Sequence, residues 1–507
     1  MGARTFDNII YRHQPFLIDE SEHAHVIDSF EFLKKFADNK IIYGINTGFG
    51  PMAQYKVSKD DQEQLQFNLI RSHSSGAGSR LPDIYVKATM ICRLNTLLLG
   101  NSGVSDDIIR VLQEFINNDI FPFIPEHGGV GASGDLVQLA HLGLCLIGEG
   151  QSNYKGKLQP TREVLNQLGI QPAKLHLRDG LALINGTSCM TGIGLVNLSK
   201  AKKLLLWSIQ LGALLNELVD SYDDSYSAEL NKVKLHEGQN AVAAAMREFL
   251  EDSQLIKKRE DHLFKNIEIP TSGIFNGKVQ EYYSLRCIPQ ILGAVKDTID
   301  QVENVLVNEL NSANDNPIVD VKAQNVFHGG NFHGDYVSLE MDKLRLVITK
   351  LTMLIERQLN FLLNSKLNEK FPPFLNMGKL GFNFGFQGMQ FTATSTTAES
   401  QTLSNSMYIH SISCNNDNQD IVSMGTNSAL LTKKVIENAF QVLSIQTMAC
   451  MQAMDIVNKS EQFASLSRRF YNDIRKLVKT FSADEPGYQR IRSVTDYLEH
   501  NDPYIAI

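Results

Sequence analysis

Apolar residues recur at spacings of three and four along several long segments of the chain. In residues 336–364 they form one continuous stripe on a helical projection, and the charged residues lie off it. The stripe comprises Val337, Met341, Leu344, Ile348, Leu351, Ile355 and Leu359. Similar patterns extend over residues 191–222, 288–312 and 421–457. The pattern predicts an extended bundle of long helices, and so many apolar stripes favour burial between subunits.

Glycine-rich and polar segments separate these helical stretches. They are residues 43–51, 127–135, 183–188, 311–317, 327–335, 380–388 and 415–420. Functional groups commonly lie on such connections, because rigid elements on either side hold them in place. We predict a smaller, loop-rich N-terminal domain over residues 1–190. A long-helix bundle with a peripheral helical end is predicted over residues 191–507.

The composition is typical of a soluble globular protein. Hydrophobic residues make up 43% and charged residues 21% of the 507 positions, which suffices for a large core. The formal net charge is -8 and the charges are dispersed, so nucleic acid is not an expected partner. No stretch is apolar enough to span a membrane, and the N-terminus lacks the apolar region of a signal peptide. We therefore expect a cytoplasmic protein.

Cysteine and histidine spacings do not indicate a metal site. The cysteines are scattered along the chain without a CxxC pair, which favours small buried apolar residues over disulfides or zinc ligands. His328 and His333 stand five residues apart, and further ligands at suitable spacing are not evident. We expect no metal.

The segment HGGVGASGD, residues 127–135, carries candidate chemistry. An apolar helix is predicted to follow it from Asp135, which is a favourable helix-start residue. A glycine-rich turn before a helix is by itself weak evidence, and the Gly-Lys-Ser/Thr of a phosphate loop is missing. Small residues would nevertheless let the backbone bend until the Gly134 nitrogen reaches the Ala132 carbonyl. Loss of two water molecules, one from the Ser133 side chain, would then leave a ring with an exocyclic methylidene, which is a strong electrophile.

This segment resembles the signature of the histidine, phenylalanine and tyrosine ammonia-lyases, whose prosthetic group is 4-methylideneimidazole-5-one (MIO). The resemblance extends from about residue 40 to about residue 455 and includes several motifs in the family's order. It implies that MIO forms from Ala132-Ser133-Gly134, with no metal or external cofactor. It also implies an all-α fold of the histidine and phenylalanine ammonia-lyase type, which is fumarase/aspartase-like. The expected assembly is a homotetramer whose active sites combine residues from three chains.

The resemblance assigns catalytic roles to four further residues. Tyr43, in YGINTGFG, matches the tyrosine that removes the substrate's β-proton from a mobile loop. Asn185, in INGTS, matches an asparagine near the prosthetic group and the substrate amine. In QEYYSLR, Tyr283 matches a tyrosine beside the electrophile, and Arg286 matches the arginine that binds the substrate carboxylate. The planar guanidinium suits that role because it can pair with a carboxylate through two hydrogen bonds.

Other matched positions are expected to line the site. Gln280 matches an active-site glutamine, and Asn316 and Phe332 match residues close to the ring-forming loop. Structural alternatives exist for several assignments. Arg286 alone would more often form a surface salt bridge, Phe332 could be a core residue, and Tyr43 a buried aromatic.

Three residues bear on the ring of the substrate. The resemblance places Ser72 and His73 at the pair that tunes the ring pocket, where serine-histidine is typical of histidine lyases. Gln419 instead stands in the Asn-Gln-Asp pattern of phenylalanine and tyrosine lyases, where histidine lyases carry a glutamate. A neutral amide suits an uncharged ring, because an unpaired carboxylate beside it is costly. His73 could hydrogen-bond a phenolic hydroxyl, whereas a phenyl ring would leave it unpaired at a cost of about 1–3 kcal/mol.

We therefore predict the deamination of L-tyrosine to trans-4-coumarate and ammonia, as in bacterial tyrosine ammonia-lyases. Histidine, with urocanate as product, is the alternative, followed by phenylalanine and by an aminomutase that returns ammonia to the β-carbon. Because the β-proton is weakly acidic, helix N-termini are expected to converge on the electrophile. An inactive scaffold is disfavoured because Tyr43, Ser133 and Arg286 are all present, and the serine loop of fumarase-like lyases is absent.

Overall fold

The structure, a computed structural model, describes residues 1–265, 273–275 and 278–507. Helices dominate it. In chain order they are α1 (Ala3–Tyr11), α2 (Glu20–Phe36), α3 (Gln62–His73), α4 (Asp83–Leu97), α5 (Asp106–Asn117), α6 (Val137–Leu146), α7 (Thr161–Leu168), α8 (Asp179–Ile184), α9 (Ser188–Leu218), α10 (Ala228–Lys232), α11 (Glu237–Phe249), α12 (Tyr283–Arg286), α13 (Ile288–Leu310), α14 (Asp335–Leu363), α15 (Ser365–Asn368), α16 (Gln387–Leu403), α17 (Gly425–Val457), α18 (Ser465–Leu477) and α19 (Tyr488–His500).

The four long helical patterns of the sequence correspond to α9, α13, α14 and α17. Every residue of the stripe predicted along α14 is buried. The ends differ slightly from the prediction. Helix α9 ends at Leu218, before Asp220 takes a left-handed φ of 48°, although apolar residues continue in the sequence. Helix α17 begins at Gly425, after Met424 with a φ of 52°, rather than at residue 421.

The β-structure consists of short antiparallel strands. They are β1 (Ala77–Arg80), β2 (Phe121–Pro122), β3 (Pro125–His127), β4 (Gln151–Tyr154), β5 (Lys157–Pro160), β6 (Ile318–Asp320) and β7 (Asn325–Phe327). Strand β1 pairs with β3, β4 lies between β2 and β5, and β6 forms a hairpin with β7.

Contacts within the chain define two compact units. Unit 1 comprises Met1–Ser199, Val302–Lys343 and Ser406–Lys433, and it contains all the strands named above. Unit 2 comprises Lys200–Gln301, Leu344–Asn405 and Lys434–Ile507. Each unit combines three segments that are separated in the sequence. The units therefore do not test the predicted division of the chain at residue 190, which stays a prediction.

The core of unit 1 holds the turn that carries Tyr43. Ile42 and Ile45, on either side of this tyrosine, are buried in one cluster with Leu33 of α2, Val319 of β6 and Val326 of β7. Burying two isoleucines stabilises the fold by roughly 3–6 kcal/mol. The turn is therefore anchored in the core while the tyrosine between them stays partly exposed.

In unit 2 the C-terminal helices pack on the second half of α9. Trp207 is fully buried and stacks on Phe470 of α18, with ring centroids 5.2 Å apart. Its indole N–H donates to the Leu498 carbonyl of α19 over 2.9 Å. This buried aromatic therefore holds both C-terminal helices on α9.

Four of the six cysteines are buried thiols, as expected of cysteines that act as small apolar residues, whereas Cys287 and Cys414 are partly exposed. The buried ones are Cys92, Cys145, Cys189 and Cys450. Across the part of the chain that the structure describes, no helix has both the length and the apolar character that crossing a membrane requires.

Candidate active site

The Ala132-Ser133-Gly134 segment adopts a tight backbone conformation in unit 1. Gly134 has a left-handed φ of 66° and pairs with Gly186 in a parallel bridge. A Cβ atom at Gly134 would collide with the Gly186 carbonyl group, so only glycine fits this position. The next amide, that of Asp135, donates to the same Gly186 carbonyl oxygen over 2.8 Å. The backbone next to Ser133 is therefore held against the Asn185–Gly186 turn.

Asp135 caps a helix other than the one predicted. Helix α6 begins at Val137, and the Asp135 carboxylate accepts the backbone N–H groups of Cys189 (2.6 Å) and Met190 (3.2 Å) at the start of α9. The Thr426 hydroxyl, in the first turn of α17, donates to the other oxygen of the Asp135 carboxylate over 2.5 Å. Burial is the main influence on this carboxyl and raises its pKa to about 6. The prediction that Asp135 starts its own helix was wrong, because the unpaired amides of α9 bind this side chain instead.

Two further long helices begin beside the same loop. The Gly131 carbonyl oxygen accepts the N–H of Gly334 (3.0 Å), immediately before α14, and the Ser423 hydroxyl (2.9 Å), just before α17. The Val130 carbonyl oxygen accepts the Met424 N–H over 2.9 Å. The N-termini of α9, α14 and α17 thus meet residues 130–135, as expected. Their dipoles favour negative charge at this point.

Two amide side chains contact Ser133. The Gln419 amide donates to the Ser133 hydroxyl over 2.9 Å, and the Asn185 amide donates to its carbonyl oxygen over 3.4 Å. The Asn185 side-chain oxygen is buried, and no described residue hydrogen-bonds to it. Gln419 is itself held by a backbone bridge to Cys414, whose thiol donates to the Gln419 amide oxygen over 3.5 Å. Predicted residues far apart in the sequence are therefore brought together at Ser133.

Tyr43 lies in a turn and is partly exposed. Its phenolic oxygen accepts the Gly50 N–H over 2.9 Å, and its ring meets Phe49 edge to face at 6.0 Å. Its backbone N–H donates to His328 Nε2 over 3.4 Å. Burial raises the pKa of Tyr43, while the Gly50 hydrogen bond and the charge of Arg178 act in the opposite direction. Burial is the largest of these effects, so the pKa of Tyr43 is raised overall, and the hydrogen bond and the cation offset only part of the rise.

A buried ion pair supports the loop that contains Asn316. The guanidinium of Arg178 pairs with Asp315 over 2.9 Å and donates to the Asn316 carbonyl oxygen over 2.9 Å. The Asn316 side-chain oxygen accepts the Gly329 N–H over 2.8 Å, so this side chain connects the polar segment 311–317 to the glycine-rich segment 327–335. Phe332, three residues further on, is half-buried rather than a core residue.

Three buried charged residues of unit 1 were not among the residues predicted from the sequence. Arg93, Arg178 and Asp315 are all fully or almost fully buried. The signal that could have found the two arginines is a positive charge within a strongly apolar stretch, ICRLNTLLLG for Arg93 and RDGLALI for Arg178. Such residues are rarely buried without a partner or a role.

Ser72 and His73 form the end of α3. His73 Nδ1 lies 2.9 Å from the Leu69 carbonyl oxygen and 3.0 Å from the Ser72 hydroxyl. In the neutral tautomer whose Nδ1 donates to Leu69, Nε2 is the acceptor. The Ser72 hydroxyl donates to the same carbonyl over 3.1 Å. Helix α3 packs against α6 and α8, the helices that follow Ser133 and precede Asn185. The place of Ser72 and His73 in a ring pocket stays a prediction.

Unit 2 contains the remaining predicted residues. Arg286, at the end of α12, donates to the Gln280 side-chain oxygen over 2.7 Å, and its guanidinium lies over the Tyr283 ring at 4.6 Å. These three residues line a cavity of about 620 Å³, together with Arg357 and Phe361. The described partner of Arg286 is a neutral amide rather than a carboxylate, so its charge remains available to a carboxylate ligand.

Known proteins of similar sequence include two aminomutases. A family model described as aromatic amino acid lyase matches residues 3–476. Tyrosine 2,3-aminomutase of Chondromyces crocatus is 39% identical over 463 residues, which cover 90% of this chain and 87% of that protein. The MIO-dependent tyrosine 2,3-aminomutase of Streptomyces globisporus is 38% identical over 488 residues, covering 94% of this chain and 90% of that protein.

A solved structure shows the same fold. The crystal structure of histidine ammonia-lyase from Trypanosoma cruzi matches with a TM-score of 0.87 and 28% identity, over 98% of this chain and 91% of that chain. This match confirms the predicted all-α fold of the histidine and phenylalanine ammonia-lyase type. The segment matched by the family model spans the predicted site residues from Tyr43 to Gln419. The chain therefore belongs to the aromatic amino acid lyase family.

Proposed function

We propose that this protein is an ammonia-lyase that converts L-tyrosine to trans-4-coumarate and ammonia. The observation that carries the proposal is the setting of Ser133. It lies next to a left-handed Gly134 that is packed on Gly186, and it contacts the amides of Asn185 and Gln419. Three helix N-termini meet the same loop. This setting is suited to an electrophile at which negative charge develops.

The residues present fit an MIO group formed from Ala132-Ser133-Gly134. Gly134 has no room for a side chain, and the buried Asn185 side-chain oxygen has a vacant acceptor site among the described residues. The amide of Gln419 provides a donor at the Ser133 side chain. MIO would supply an electrophile that binds the substrate amine and makes its nitrogen a better leaving group. The description of the Streptomyces relative as MIO-dependent supports the assignment.

The proposed roles of the chain's own residues follow from their chemistry. Arg286, held by Gln280 and stacked on Tyr283, binds the substrate carboxylate. Tyr43 accepts the β-proton, and the Gly50 N–H stabilises its phenolate oxygen. Asn185 orients the substrate amine. The helix N-termini around residues 130–135 stabilise the negative charge that develops as the proton leaves.

The preference for tyrosine is proposed from His73 and Gln419. With Nδ1 of His73 donating to Leu69, Nε2 can accept a hydrogen bond from a phenolic hydroxyl. A phenylalanine ring would leave that acceptor unpaired. The Gln419 amide is neutral, so it offers no negative charge that could pair with a protonated imidazole ring. Ser72 is proposed to complete this pocket, and Asn316 and Phe332 are proposed to line the site near the ring-forming loop.

We also propose a homotetramer with shared active sites. The resemblance implies this assembly, and the predicted site residues fall into a group in unit 1 and a group in unit 2. Tyr43, Ser133, Asn185 and Gln419 belong to the first group, and Gln280, Tyr283 and Arg286 to the second.

A tyrosine 2,3-aminomutase is the second candidate, because two relatives of that name are 39% and 38% identical to this chain. Both candidates would use the same residues, and they differ in whether ammonia leaves or returns to the β-carbon. A histidine ammonia-lyase is the third, favoured by the Ser72-His73 pair and by the likeness to the Trypanosoma cruzi structure.

Incubation with L-tyrosine, L-phenylalanine and L-histidine separately tests the proposal. We expect the ultraviolet absorbance of 4-coumarate to rise fastest, with free ammonia released in equal amount. Accumulation of β-tyrosine would establish the aminomutase instead, and urocanate as main product would establish the histidine lyase. The variant His73→Phe should lower kcat/KM for tyrosine relative to phenylalanine by roughly tenfold, because the acceptor for the phenol is lost. An unchanged ratio would remove His73 from the ring pocket.

A further inference from the structure

Arg93 is a buried cation that the proposed mechanism does not use. It lies within the apolar helix α4 and is fully buried. One terminal nitrogen, Nη1, donates to the Asn185 carbonyl oxygen (3.3 Å), the Ser188 hydroxyl (3.4 Å) and the Asn314 side-chain oxygen (3.4 Å). Among the described residues, its Nε and Nη2 atoms have no hydrogen-bond partner. Burying a guanidinium that is only partly paired is costly, so a compensating role is expected.

The guanidinium lies against the Asn185–Gly186 turn. A Cβ atom added to Gly186 would collide with Arg93 Nη1, which shows how closely the two approach. Gly186 also pairs with Gly134, and its carbonyl oxygen accepts the Asp135 N–H over 2.8 Å. Asn185 contacts the Ser133 carbonyl through its side chain. The turn therefore contacts both Arg93 and the ring-forming segment.

We propose that Arg93 is a positioning residue for MIO formation, holding the Asn185–Gly186 turn as the template on which Ala132-Ser133-Gly134 closes. This inference rests on the proposed function, because it presupposes that the ring forms. In ring closure the Gly134 nitrogen bonds to the Ala132 carbonyl carbon. The Ala132 carbonyl oxygen leaves as water, together with the protons of the Gly134 and Ser133 nitrogens. The second water takes the Ser133 hydroxyl and its Cα proton, so no oxidant is needed.

The chemistry of the contacts explains why an arginine would be required. The atoms held by Nη1 are oxygens on three different residues, and a guanidinium keeps its charge when buried and directs its donors in a fixed plane. The carboxylates of Asp135 and Asp315 offset part of the charge, while burial and Arg178 lower the pKa of Arg93. A lysine has a shorter side chain and an ammonium group that loses its charge more readily when buried, and a glutamine would keep one donor group without the charge.

The rate of ring closure measures this role independently of turnover. The chain is produced by cell-free synthesis and quenched at intervals, and the mass of the proteolytic peptide containing residues 132–134 is followed for the loss of two water molecules. We expect Arg93→Gln to slow the loss about tenfold, the change expected when a hydrogen bond to a charged group is removed. Arg93→Lys should fall between this variant and the unsubstituted protein.

Arg345→Gln is the matched control. Arg345 is also fully buried, belongs to unit 2 and donates to the Asn405 carbonyl oxygen over 2.9 Å. The Arg345→Gln substitution should lower the midpoint of urea denaturation without slowing ring closure. The inference is overturned if Arg93→Gln closes the ring at the unsubstituted rate, or if Arg345→Gln slows it equally. If Arg93→Gln does not fold, Arg93→Lys decides: slower closure supports the role, and an unsubstituted rate overturns it.

Different results would contradict the proposed function and the proposed role of Arg93. Absence of the two-water mass loss in the unsubstituted chain would contradict the proposed function itself. A normal mass loss and normal lyase activity, combined with unimpaired Arg93 variants, would contradict only the role of Arg93.

Discussion

At the scale of single residues, Ser133 is distinguished by the residues that contact it rather than by its own side chain. Its hydroxyl and carbonyl are contacted by the amides of Gln419 and Asn185. Gly134 beside it fits only because it lacks a Cβ atom. A serine in such a setting is constrained from several sides, and this constraint separates it from an ordinary loop serine.

Replacing Ser133 by alanine tests this assignment. Ser133→Ala should abolish the two-water mass loss and nearly all turnover, because alanine has no hydroxyl to eliminate. Peptide mass spectrometry and the release of propenoate measure the two effects. Ser29→Ala, at a buried serine of α2, is the control and should retain both. A Ser133→Ala protein that still loses two waters and turns over would refute the electrophile.

Replacing Gln419 by glutamate tests the ring pocket. The carboxylate should favour an imidazole and disfavour a phenol, so the ratio of kcat/KM for histidine to that for tyrosine should rise about tenfold or more. Because Gln419 also donates to Ser133, the mass loss is recorded alongside, and the ratio is taken on the modified fraction. Gln324→Glu, in the turn between β6 and β7, controls for an added charge. An unchanged ratio would place Gln419 outside the pocket.

At the scale of elements, the N-terminal ends of the long helices are the parts that contact the ring-forming loop. Helices α9, α14 and α17 begin beside residues 130–135, and Asp135 joins the starts of α9 and α17. A carboxylate at a helix start normally gains from the dipole, yet burial has the larger effect here and raises the pKa of Asp135 to about 6.

Asp135 should therefore make stability fall as the pH rises. Its pKa in the folded protein, about 6, exceeds the value of about 3.9 in an unfolded chain. The folded state thus binds more protons between about pH 4 and pH 6, and the slope from this group is at most about 1.4 kcal/mol per pH unit. Asp135→Asn should flatten the fall in the urea denaturation midpoint over this range, and Asp38→Asn, at an exposed carboxylate, is the control. A slope unchanged by Asp135→Asn would contradict the assignment.

At the scale of the whole molecule, α14 exposes apolar residues as well as burying its predicted stripe. Tyr336, Leu339 and Leu346 share one face, because they are three and seven residues apart, and they are 72%, 40% and 53% exposed in the single chain. Apolar side chains exposed on a long helix are often buried between subunits. This exposure is consistent with the homotetramer proposed from the resemblance.

A charge on this face tests the assembly. Leu346→Asp should yield smaller species, because a buried carboxylate at a subunit contact is unpaired and costs several kcal/mol. Activity should fall with the assembly if the sites are shared. Size-exclusion chromatography with light scattering measures the mass, and Leu17→Asp, at an exposed leucine before α2, is the control. A tetramer of unchanged mass, or a fully active monomer, would contradict the proposal.

Much of the fold and part of the candidate site could be predicted from local patterns. The spacing of apolar residues was sufficient for α9, α13, α14 and α17, because helical periodicity is a property of neighbouring positions. The resemblance then provided the family, which the comparisons confirm. Helix ends were less accurate, since left-handed residues such as Asp220 and Met424 do not disturb the apolar pattern.

By itself, the sequence determined the helical architecture, the family and the small residues that a tight turn at Ala132-Ser133-Gly134 requires. Only the tertiary structure decided that Asp135 caps α9 and that Gln419 faces Ser133. It also decided that Arg93 lies against the Asn185–Gly186 turn. The physical reason is that periodicity reports which face of an element is apolar. The partner of a buried polar group depends on which distant segments the packing brings within hydrogen-bonding distance.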